Sequence, residues 1–266
     1  MFDDIIKSII LGIVEGITEF LPISSTGHLI LVNQWINFSE PFTTMFDIVI
    51  QLGAILAVVV YFWKRLWPFG KGQSQQQPAI AIWLKIAVGV IPAIVLGALL
   101  GNAIEENLFN PWVVAAALLL GGIILIYIEK HPSNHRFASV HEIPVQTAFY
   151  IGVIQCLSMI PGTSRSAATI IGAMLLGASR TAAVEFSFFL AIPTMVAASG
   201  YSLLKHASAL TANEFIILAT GFIAAFLTAL VVIKLFVGYI QRRDLKPFGY
   251  YRVVLGALIF IFFFLR

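Results

Sequence analysis

Glu15 and Glu19 stand four residues apart in an otherwise apolar stretch, a spacing that puts both carboxylates on one face of a helix. Two carboxylates buried that close cannot both ionise cheaply. They share a proton, pair with a cation or hold a metal. The plain alternative is a helix end at a water interface, or a structural pair with an arginine. Ser24, Ser25, Thr26 and His28 follow at once. Hydroxyls at a helix start are ordinary caps, but His28 stands three residues beyond Ser25, a spacing that suits a base and a nucleophile.

A second cluster, Pro161-Gly162-Thr163-Ser164-Arg165-Ser166-Ala167-Ala168-Thr169, reads as a glycine-containing turn that opens a helix. Free N–H groups and the helix dipole attract anions there, and arginine donates in a planar fork that suits phosphate. Arg165 therefore either pairs with Glu15 or Glu19 or waits for an anionic substrate; a purely structural ion pair between the clusters is the plain alternative. Taken together, the two clusters have the parts for hydrolysing a phosphate ester or anhydride.

The elements that position these groups must lie in a membrane. The 266 residues are 59% hydrophobic and only 11% charged, with a mean hydropathy of +0.94. A soluble chain carries roughly 25% charged residues. The composition excludes a soluble domain, disorder and a nucleic-acid binder, and a lone cysteine, Cys156, excludes a disulfide scaffold. The first apolar stretch carries Asp3, Asp4 and Lys7 in front and lacks a small-residue cleavage pattern, so it is expected to remain in the mature protein.

Six stretches approach the roughly 20 apolar residues a spanning helix needs: Phe46–Trp63, Ile82–Ile104, Trp112–Ile128, Phe186–Leu204, Phe215–Val237 and Tyr251–Leu265. Residues 5–37 and 146–178 are apolar but broken, around Pro22–Gly27 and Pro161–Ser166. Irregular backbone at membrane depth needs protein or a water-filled cavity around it, so both read as re-entrant hairpins that meet inside. Gly12–Ser25 also matches Gly152–Ser164 with one residue deleted. The expected fold is an all-α integral membrane protein, one membrane domain made of two inverted repeats near 1–130 and 131–266. Each repeat is a re-entrant helical hairpin plus three transmembrane helices.

With hairpins returning to their own side, twelve of the sixteen Lys and Arg residues gather on one face: Lys64, Arg65, Lys71, Lys85, Lys130, Arg136, Arg180, Lys234, Arg242, Arg243, Lys246 and Arg252. Lys7, Lys205 and Arg266 fall on the other, with Arg165 set aside. Positive charge favours the cytoplasm, which puts both termini outside. The run Gln73–Gln77 reads as a polar cytoplasmic loop. His131, His135 and His141 read as solvated, Pro92 and Pro193 as kinks within spans, and Cys156 as packing.

Glu15-Gly-Ile-Thr-Glu19-Phe-Leu-Pro-Ile-Ser-Ser-Thr-Gly-His28 together with Pro161–Thr169 resembles the bacitracin-resistance family of undecaprenyl-diphosphate phosphatases, over essentially the whole chain. The resemblance implies removal of the terminal phosphate of undecaprenyl diphosphate, in the cytoplasmic membrane of a bacterium. It also implies a divalent cation, Mg2+ or Ca2+, and a site opening to the outer, periplasmic face. The product would be the monophosphate carrier used in cell-wall synthesis, and bacitracin resistance would follow. The family's acidic pair falls on Glu15 and Glu19, its serine–histidine segment on Ser25 and His28, and its arginine segment on Arg165. Glu19, Ser25, His28 and Arg165 are the expected catalytic groups. Glu15 and Glu19 are the expected metal ligands, and Ser24, Thr26, Ser164, Ser166 and Thr169 join Arg165 around the diphosphate. The expected partners are the polyprenyl diphosphate substrate and membrane lipid; a homo-oligomer is admitted but not required. Two other readings remain: a transporter or flippase of a polyprenyl phosphate lipid, and a phosphatase of the phosphatidic-acid type. The absence of histidine from 166–174 counts against the second.

Overall fold

A computed structural model of the chain describes residues 2–36, 38–40, 42–67, 73–131, 135–206 and 210–265. Eleven α-helices follow in order: α1 Phe2–Thr18, α2 Ser25–Val32, α3 Phe42–Tyr61, α4 Trp63–Leu66, α5 Gln73–Leu108, α6 Pro111–Lys130, α7 Val145–Gln155, α8 Arg165–Leu175, α9 Arg180–His206, α10 Ala212–Ile240 and α11 Lys246–Phe264. Among the described residues there is no strand, only an isolated bridge between Phe137 and Ala178. Helices α3, α5, α6, α9, α10 and α11 are long and apolar enough to cross a membrane; each overlaps one expected span, although α3 ends at Tyr61, short of the expected Trp63, and α11 at Phe264, short of Leu265. This is a multi-pass membrane protein.

Two expectations about boundaries need correction. The glutamine run is helical from Gln73, not a loop. At 36 residues, α5 is about 54 Å long, well beyond a hydrocarbon core of about 30 Å, so its polar first turns extend past the apolar span. The breaks in both hairpins are also shorter than expected, because Ser25–Gly27 already belong to α2 and Arg165 and Ser166 to α8. Lys71 and Arg266, counted in the charge argument, lie outside the described residues, as does the side chain of Lys205.

Helix α1 shows how the sequence orients an element in lipid. Ile6, Ile9, Ile10, Ile13 and Ile17 are exposed, while Ser8, Gly12, Glu15, Gly16 and Thr18 are buried. The apolar stripe faces outward and the small and polar stripe faces protein, the arrangement expected where lipid replaces water. The small residues let backbones approach: a Cβ on Gly12 would stand 2.5 Å from the Gly221 carbonyl of α10. Gly152 of α7 lies tighter still against the Gly89 carbonyl of α5.

Helix α1 packs on α10 and α7 on α5, while α6 packs on α11 and α3 on α9. Two arginines of the charge count are ion-paired: Arg65 with Glu185 at 2.7 Å, and Arg180 with the buried Glu129 through its Nε at 2.9 Å. Lys85 donates to the carbonyls of Val140 and His141, at 3.1 and 2.6 Å. One assignment in that count fails. Arg252 is fully buried and is no face charge at all.

Candidate active site

Both broken segments turn in the same way. Ser24 and Ser164 hold positive φ angles, 72° and 69°, a region that non-glycine residues rarely occupy and that costs of order 1–3 kcal/mol. Each serine then caps the short helix it precedes. Ser24 Oγ accepts from the Gly27 amide at 3.3 Å, and Ser164 Oγ accepts from the Ala167 amide at 3.2 Å. The caps make Ser24 equivalent to Ser164 at the same offset that relates Gly12 to Gly152. No deletion is therefore needed between the hairpins; only the proline has moved by one position.

The equivalence pairs Ser25 with Arg165, each the first residue of its helix. The two meet at one carboxylate. Arg165 Nη2 lies 2.9 Å from Glu19 Oε1, and Ser25 Oγ donates to Glu19 Oε2 at 2.7 Å. Arg165 Nη1 also donates to the Ser187 carbonyl at 3.0 Å, and its guanidinium sits 5.8 Å over the Phe20 ring. Glu19 is 7% and Arg165 10% exposed, so the pair is largely withdrawn from its surroundings. Around Glu19, two sets of atoms are buried without a hydrogen-bond partner among the described residues: both carboxylate oxygens of Glu15, and Nε of Arg165. One set can receive a cation or a proton, the other an acceptor oxygen.

Several expected site residues are engaged elsewhere. His28 does not hold Ser25. Its Nδ1 lies 2.7 Å from the Ser24 carbonyl and its Nε2 2.6 Å from the Tyr251 hydroxyl. A carbonyl only accepts, so Nδ1 carries the proton, and in the neutral ring Nε2 accepts from Tyr251. Ser166 donates to the Leu21 carbonyl at 2.8 Å, which ties the second hairpin to the first. Thr169 is fully buried and shares a 2.6 Å hydrogen bond with Ser187 of α9. The expected three-hydroxyl cradle is thus partly packing. Thr26, on the first turn of α2, is half-buried.

The sequence reading missed Tyr251, Arg252, Phe20 and the Ser187 carbonyl. Arg252 is the most unexpected. Its Nη1 donates to Pro22 O at 3.3 Å, and its Nη2 lies within 3.2 Å of Gly162 O, Thr163 O and Ala117 O. The three loop histidines are exposed, as expected. Partial burial and the nearby Arg65 and Lys85 cations lower the pKa of the His141 imidazole. No group of three or more His, Cys, Asp or Glu side chains forms a metal centre among the described residues.

The chain is thus a polytopic membrane protein with an acid, a hydroxyl and a guanidinium gathered where two broken hairpins touch. Comparison with known proteins gives the family. The model for the bacitracin resistance protein BacA matches residues 8–258, and the chain belongs to that family. It is 50% identical to undecaprenyl-diphosphatase 1 of Clostridioides difficile (strain 630), with 98% of this chain and 97% of the relative covered. Identity to the undecaprenyl-diphosphatase of Lachnoclostridium phytofermentans is 51%, over 99% of this chain and 98% of the relative. The undecaprenyl-diphosphatase of Rhodopseudomonas palustris (strain HaA2) is 47% identical, over 97% of each chain.

Proposed function

We propose that this chain hydrolyses the phosphoanhydride of undecaprenyl diphosphate, giving undecaprenyl phosphate and inorganic phosphate. The carrying observation is Glu19, which holds the Ser25 hydroxyl on one oxygen and the Arg165 guanidinium on the other. Names of relatives at about half identity agree with that chemistry. On binding, the diphosphate draws Arg165 onto its oxygens, with Nε as a free donor, and releases Glu19 to act as base. Glu19 takes the Ser25 proton, Ser25 Oγ bonds to the terminal phosphorus, and the bridging P–O bond breaks to free the lipid monophosphate. Water then cleaves the phosphoserine and restores the hydroxyl. Arg165 and the amides at the start of α8 neutralise charge that grows in each transition state. His28, set by Ser24 and Tyr251, stands on the same helix as Ser25 and supplies or relays a proton.

The donor set suits a hard divalent cation. Glu15 has both oxygens free and Glu19 stands one turn away; one or two carboxylates plus substrate phosphates are what Mg2+ usually takes. Mg2+ or Ca2+ bound there would add charge neutralisation at the phosphates. Glu15→Gln should leave the fold intact and raise the cation concentration needed for half-maximal activity.

The two halves are read as inverted copies, in the bacterial cytoplasmic membrane, with both termini outside and the site open to the outer face. Labelling of a cysteine at Arg243 by an impermeant reagent from outside intact cells would overturn that orientation. The activity itself is tested by phosphate release from a C55 diphosphate by purified protein with added Mg2+ or Ca2+. Release above background is expected and falls on chelation. Lipid movement across vesicles without any release would instead favour a transporter.

A further inference from the structure

Arg252 lies outside the chemistry just described, yet it touches both hairpins. Its helix, α11, sits far from either cluster in sequence, and its side chain is fully buried. The two terminal nitrogens donate to four backbone carbonyls. Pro22 O belongs to the turn of the first hairpin, Gly162 O and Thr163 O to the turn of the second, and Ala117 O to α6. These turn carbonyls are the groups that irregular backbone leaves without donors at membrane depth, where each unmet group costs several kcal/mol. A guanidinium, with five donors in one rigid plane, can answer several at once.

Room for the guanidinium is built into α6. A Cβ on Gly121 would run into Nη2 and Cζ of Arg252. Among the described residues no carboxylate forms an ion pair with Arg252. Buried charge that is not paired is expensive, and here backbone carbonyls answer the two terminal nitrogens while Nε is buried without a partner among the described residues.

We propose that Arg252 is a positioning residue: it clamps the two turns in the one register that brings Ser25 and Glu19 against Arg165. The proposal rests on the phosphatase reading for its kinetic arm only. Displacement of one tip by even about 1 Å can cost on the order of 100-fold in rate. Binding of a long polyprenyl chain does not depend on that register. Loss of the clamp should therefore fall on kcat and spare KM.

The test compares wild type with Arg252→Lys, Gly121→Ala and Gly238→Ala. Lysine keeps the charge but cannot span two turns. Alanine at Gly121 displaces the guanidinium and leaves the arginine in place. Gly238 has nothing within 4 Å of a built Cβ and serves as the control. Phosphate release from the C55 diphosphate gives kcat and KM, and amide hydrogen exchange follows residues 19–24 and 160–164. Arg252→Lys and Gly121→Ala should each lose roughly 10- to 100-fold in kcat, hold KM within about threefold, and exchange faster at both turns. Gly238→Ala should match wild type. Wild-type kcat and exchange in both variants would overturn the proposal. So would faster exchange spread evenly over all helices, which would make Arg252 a general stability element. If Arg252→Lys does not fold, Gly121→Ala decides. If wild type releases no phosphate, the phosphatase reading fails while the exchange arm still judges the clamp.

Discussion

The first and second hairpins share a backbone and divide a chemistry. Each has a helix that stops at a turn, a serine at positive φ, and a short helix capped by that serine's hydroxyl. Superposing the caps pairs Glu15 with Gln155, Glu19 with Met159, Ser25 with Arg165 and His28 with Ala168. The first hairpin carries the acids, the hydroxyl and the imidazole. The second carries the single cation that faces them. Neither tip could bind and cleave a diphosphate alone, because acids repel the substrate that the arginine attracts. Separation on two segments lets opposite charges be buried together without either helix holding both.

Variants that blur this division should cost most at its centre. Glu19→Gln removes the charge that joins Arg165 and Ser25, and turnover should fall by on the order of 1000-fold with the fold retained; single-turnover phosphate release measures it. Arg165→Lys keeps the cation but loses the fork, and about 3 kcal/mol, roughly 100-fold in kcat/KM, is expected. Ser25→Ala distinguishes attack by serine from attack by water. More than tenfold loss, about 1.4 kcal/mol, together with a phosphoserine trapped from wild type by acid, is the expected result; a folded variant above a tenth of wild-type turnover would defeat the covalent route. Gln155→Glu makes the second hairpin resemble the first. A carboxylate placed where Gln155 donates to Thr194 at 3.4 Å should lower stability by about 1–3 kcal/mol, read as thermal unfolding in detergent, and add no activity. Tyr251→Phe should have the smallest effect. It deletes one hydrogen bond to His28, worth about 1 kcal/mol or roughly fivefold in kcat.

The spans were legible because lipid demands long apolar runs, and α3, α5, α6, α9, α10 and α11 each overlap an expected one. Proline, glycine and hydroxyl residues inside apolar stretches gave away both hairpins for the same reason. What a linear reading cannot supply is where a side chain turns. Ser166 and Thr169 look alike as ligand hydroxyls or as ties to Leu21 and Ser187. Spacing suggested His28 for Ser25, yet Glu19 accepts from Ser25 across the turn and Tyr251 meets His28 from α11. Arg252 was hidden most completely. Near the start of a span, a lone arginine reads as an interface charge, and nothing nearby in sequence announces the turns it reaches.

Arg252 grips main-chain oxygens, and those oxygens are the same whatever residue bears them. A fastening of this kind is blind to side-chain identity at Pro22 and Thr163; Gly162 alone is held to glycine, by a φ of +88° and by the Val114 backbone that a Cβ would meet. Exchanges at the tips can therefore be tried one at a time while the seam between the hairpins stays closed. On that account the scaffold is permissive to divergence: it can explore new headgroup chemistries at its tips without first inventing a new way to hold them.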